Sequence, residues 1–83
     1  MSKTLRECLN DFNGSDESFS AMVKAAIELN GQTSDNTRIV ANEFEVAEST
    51  VTRWANGTAR PHPRLRGVVA KGLERLFFPR ASP

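Results

Sequence analysis

Few residues in this sequence are equipped for bond-making chemistry. Cysteine and histidine each occur once, as Cys8 and His62, and tyrosine does not occur. Two such residues lack the spacing of a metal site, which needs several converging ligands. No Gly-rich phosphate loop or nucleophile elbow is present either. No catalytic residue, metal ligand, cofactor or small-molecule substrate is therefore expected. What the chain does carry is hydrogen-bonding chemistry at helical spacing. Around the apolar Val51 and Trp54 lie Glu48, Ser49, Thr52 and Arg53, which share one outward side once that pair faces a core. A guanidinium such as Arg53 can bond guanine O6 and N7 together, a contact worth about 1–3 kcal/mol of discrimination. Ser49 and Thr52 are short enough for the helix to sit deep in a groove. Glu48 has three readings: an acceptor from cytosine N4 or adenine N6, a group that orients Arg53, or an acid at the positive end of a helix dipole.

Two short helices must position that face. Val40, Ala41 and Phe44 fit one face of a helix over residues 36–44, and Val51 and Trp54 fit a second over residues 47–55. Val46 breaks the first phase and belongs to the corner. Ala41 and Val51 then meet at the closest approach, where a small residue lets the axes come together. This is the pattern of a helix-turn-helix over residues 36–57, closed by Asn56-Gly57. Before it, Leu5, Cys8, Leu9 and Phe12 predict an amphipathic accessory helix within residues 1–14. Phe19, Met22, Val23, Ala26 and Ile27 predict another that reaches about residue 29. Ser34 or Asp35 is the expected cap of the motif. Pro63 suits the first turn of a last helix, with Leu65, Val68, Val69, Leu73, Leu76 and Phe77 as its apolar stripe. Pro79 ends it, leaving residues 79–83 as a frayed tail. Cys8 and Trp54 are expected in the core. The expected architecture is one all-α domain, a compact bundle of about five short helices.

The stretch from 36 to 61 resembles the Cro/repressor-type (XRE-like) helix-turn-helix DNA-binding family. The resemblance is carried by Val40-Ala41, Val46 to Val51, Arg53-Trp54, Asn56-Gly57 and Pro61. Two positions depart from the family pattern: Glu45 stands where a turn glycine is usual, and Ala47 where a Ser or Thr cap is usual. Each departure costs on the order of 1 kcal/mol. The resemblance implies a lambda-repressor-like fold, and it implies that Thr37 and Asn56 contact phosphate. The order of the chain adds further phosphate candidates. Asn36 and Thr37 open the first helix of the motif, whose free N–H groups suit an anion. Thr50 starts near the groove wall, and Asn56, Arg60, His62, Arg64 and Arg66 follow the second helix. A solvated face is the alternative for each arginine, and simple exposure is the alternative for His62.

Net charge is only +1, but it is unevenly placed. Residues 1–35 hold three basic and six acidic side chains, whereas residues 36–83 hold eight and four. The positive half carries the motif, as a phosphate-facing surface requires. No stretch is long and apolar enough to cross a membrane, and the polar opening residues are unlike a signal peptide. A single cysteine suits a reducing, cytoplasmic setting. The end of the last helix, with Leu73, Leu76, Phe77 and Phe78, is an expected homodimer surface. Two alternatives stand beside it: Phe78 folded back over the N-terminal helix, or that helix as the dimer element. The function expected is a sequence-specific double-stranded DNA-binding regulator, a repressor of phage or plasmid type in a bacterial cell or phage-infected host. Its rival is a protein-interaction module, such as an antitoxin or a component of a replication or recombination complex, that has kept the fold.

Overall fold

The computed structural model describes residues 4–79, and the expected tail beyond Pro79 lies outside them. The first helix, α1 (Leu5–Asp11), begins at a reciprocal cap. Thr4 Oγ1 accepts from the Glu7 N–H at 3.2 Å, and Thr4 N donates to Glu7 Oε1 at 3.0 Å. Helix α2 (Asp16–Ile27) starts at Ser15, whose hydroxyl accepts from the Ser18 N–H, with Asp16 and Glu17 at its positive end. It stops two residues short of the expected end. A single 3-10 turn (Leu29–Gly31) follows, with Asn30 and Gly31 both at positive φ. Helices α3 (Thr33–Phe44), α4 (Glu48–Asn56) and α5 (Pro63–Phe77) complete the chain, and no strand is formed among the described residues. Pro63 occupies the first turn of α5, where its missing N–H costs nothing.

The protein is thus all-α, with five helices around one core. Its centre is α2, which packs against each of the other four. Phe19, Met22, Val23 and Ala26 of α2 are fully buried, together with Val40 of α3, Val51 of α4 and Leu73 of α5. Trp54 links three helices: its ring meets Phe19 edge-on at 5.7 Å and Phe44 at 6.4 Å, a geometry favoured by the aromatic quadrupole. Cys8 is a buried core residue, as expected.

Two expectations change here. Helix α3 begins at Thr33, so neither Ser34 nor Asp35 is its cap; that position falls to Gln32, which makes no side-chain cap. The apolar stripe of α5 is rotated. Val69 and Leu73 are buried as expected, but Leu65 and Val68 are 53% and 59% exposed. Arg66 and Gly72 occupy the inner face instead. Gly72 is there for space, because a Cβ on it would lie 2.5 Å from the tip of the Phe44 ring.

Candidate nucleic-acid interface

The outer side of α4 is held in place by its two ends and its inner face. At the first end, α3 terminates at Glu45 in a left-handed conformation (φ 55°). Val46 N donates to Ala41 O at 3.0 Å and Glu45 N to Asn42 O at 3.3 Å, the paired bonds of a Schellman ending. The turn Glu45-Val46-Ala47 then leads into α4. At the other end Gly57 (φ 78°) makes the same kind of stop, with Thr58 N donating to Arg53 O. Between these stops Val51, Trp54 and Ala55 are buried, and Ala41 of α3 belongs to the same buried cluster.

What remains on the outside is the expected set. Glu48, Ser49, Thr52 and Arg53 are all exposed on α4, and Asn56 is exposed at its last turn. The Thr52 hydroxyl donates to the Glu48 carbonyl at 3.2 Å, which settles its rotamer. Among the described residues no ion pair joins Glu48 to Arg53, so its carboxylate does not orient the guanidinium directly. It stands in the first turn of α4. There Ala47 has the extended backbone of a capping residue but no side-chain oxygen to give. Helices α3 and α4 are alike in this respect, whereas α1, α2 and α5 are capped by Thr4, Ser15 and His62. Uncapped N–H groups at a helix start present partial positive charge to an anion.

The expected phosphate set divides in two. Thr50 is half-buried, and Asn56, Arg60, His62 and Arg64 are exposed along the edge that follows α4. Arg60 donates to the Gly57 carbonyl at 3.0 Å and lies 3.7 Å from Asp16, which leads its side chain back along the protein. His62 is more than a loop residue: its Nδ1 accepts from the Arg64 N–H at 3.1 Å and caps α5.

Three members of the set are corrected. Asn36 is buried, and its side-chain amide donates to the Ile27 carbonyl at the end of α2 at 3.2 Å and to the Leu29 carbonyl of the 3-10 turn at 2.9 Å. Thr37 is buried, with its hydroxyl donating to the Thr33 carbonyl at 2.7 Å. Arg66 is 7% exposed and cannot reach a phosphate. Its guanidinium donates to the carbonyls of Gly14 and Pro61 and pairs with Asp16 at 2.7 Å, fastening the start of α5 to the α1–α2 connection. The signal for all three lay in the helical phase. Asn36 and Thr37 share the face of Val40 and Ala41, and Arg66 is three residues from Val69.

The expected dimer surface also changes. Leu73 is fully buried and unavailable to a partner. Leu76, Phe77 and Phe78 are half-buried and pack against the chain's own core. The Phe78 ring is covered by Arg6 of α1 at 4.2 Å, so Phe78 folds back over the N-terminal helix, the first of the two alternatives to a dimer surface there. No helix of the described residues is long and apolar enough to cross a membrane. No family model, curated protein or solved structure matches the chain.

Proposed function

We propose that the protein binds double-stranded DNA in a sequence-specific manner, with α3, the turn and α4 acting as a helix-turn-helix and α4 lying in the major groove. The observation that carries this reading is the outer side of α4. Four side chains suited to base edges stand clear of the core on a short helix whose first turn is uncapped. Arg53 bonds a guanine, Ser49 and Thr52 make close contacts, and Glu48 accepts from an exocyclic amine of cytosine or adenine. Arg64 and Asn56 lie along the edge toward the sugar–phosphate wall, and the uncapped start of α3 offers its N–H groups to the other wall. The resemblance to Cro/repressor-type domains points the same way. It also suggests a homodimer on a palindromic operator, acting as a repressor in a bacterial or phage setting.

In the rival reading, an interaction module would offer its acidic N-terminal third to a partner. Part of that acidity is engaged within the molecule. Asp16 pairs with Arg66 and lies near Arg60, and Glu7 closes the cap of α1. The acidic face is weaker support for a partner than the bare charge count suggested.

Binding of random genomic duplex fragments at two salt concentrations tests the reading. Affinity is expected to fall steeply as salt rises. Arg64→Ala should weaken every sequence alike and reduce the salt slope by about one, whereas Arg53→Ala should weaken selected sites and relax one base pair. Salt-insensitive binding, or equal effects of the two variants on cognate and random DNA, would remove the recognition role from α4.

A further inference from the structure

The two side chains that α5 turns away from the core lie beside a cavity. Leu65 and Val68 stand at the edge of a groove of about 250 Å³ whose other walls are Phe44, Val46, Trp54, Pro61 and Val69. With Ile39 of α3 they are the exposed large hydrophobic residues among those described. The face therefore holds a protrusion and an adjoining hollow, both apolar.

We infer that this groove is where a second copy of the chain docks. A two-fold axis beside the groove would set the Leu65–Val68 ridge of each copy into the hollow of the other. Such an isologous contact requires one surface to be complementary to itself. Charge supports the same occupant. On α5, Lys71 follows Val68 by three residues, one helical turn along, and in the turn Glu45 directly precedes Val46. Both are exposed, and among the described residues neither is in an ion pair. A two-fold arrangement that brings each α5 to the partner's turn would face Lys71 with Glu45 twice. The face suggested by the sequence, around Leu73 and Phe78, is taken up by the chain's own core, whereas this one is open. The proposal rests on the homodimer part of the reading above and is independent of which DNA is bound.

Sedimentation of the full chain without DNA, over a range of concentrations, is the test. Wild type should show a monomer–dimer equilibrium. Val68→Glu, and separately Leu65→Glu, should raise the dimer dissociation constant roughly 30-fold or more if these are central anchors. Both positions are exposed, so thermal melting of the monomer should be unchanged. Glu45→Lys and Lys71→Glu should each weaken the dimer roughly two- to fivefold, and the double exchange should restore it. A wild type that stays monomeric would overturn both this interface and the homodimer, while leaving salt-dependent DNA binding to be judged separately. A dimer indifferent to Val68→Glu and Leu65→Glu would overturn this interface alone and point to another partner for the groove.

Discussion

Arg66 shows how one side chain can be charged, sit beside an exposed basic edge and still serve the fold. Its guanidinium bonds the carbonyls of Gly14 and Pro61, groups that water would otherwise have to satisfy. Arg66→Met keeps the apolar stem but leaves those carbonyls unpaired, and the expected loss of stability is about 1–3 kcal/mol. The Asp16 partner is 56% exposed, so the ion pair itself adds little to that figure. Thermal melting checks the loss, and the salt slope of DNA binding should stay at its wild-type value. Gly72 makes the opposite point about space. Gly72→Ala puts a methyl group into the Phe44 ring, and strain of about 1–3 kcal/mol should appear as a lower melting temperature. A variant as stable as wild type would mean that Phe44 can swing aside.

The turn between α3 and α4 is the element that sets the direction of the exposed side of α4, and it is built from unfavourable residues. Glu45 holds φ at 55°, where glycine is at ease, and Ala47 sits in capping geometry without a capping atom. Glu45→Gly should stabilise the protein by up to about 1 kcal/mol, and Ala47→Ser by about 0.5–2 kcal/mol, as read by thermal denaturation. If neither change raises stability, the turn is relaxed by contacts other than its own backbone. This region was well legible in the sequence. Val40, Ala41, Val51 and Trp54 kept the faces that their spacing assigned, and Asn56-Gly57 ended α4. Less legible was α5, where Leu65 and Val68 satisfy a helical apolar stripe as well as Val69 and Leu73 do. Periodicity alone could not tell that the inward side is shared by Arg66 and Gly72. That choice depends on a carbonyl fifty-two residues away at Gly14 and on the size of the Phe44 ring.

On the scale of the whole molecule, α2 is the scaffold and α4 is the element we propose for DNA. A chain of 83 residues has little core to spare, since domains of this size bury only about 60% of their unfolded surface. Here a single helix, α2, touches all the others, and Phe19 against Trp54 ties α4 to it. The scaffold half is acidic and partly neutralised internally, while the half that carries α4 is basic. Such a division suits a molecule that meets a polyanion with one side. The most direct measurement of that role is selection of bound duplexes from a random library by the full chain and by its Arg53→Ala variant. The expected result is an enriched site for the wild type in which one G·C pair per half-site loses its preference in the variant, with half-sites about 34–36 Å apart if the chain binds as a dimer. No enrichment, or the same profile from both proteins, would contradict the assignment of α4 to the major groove.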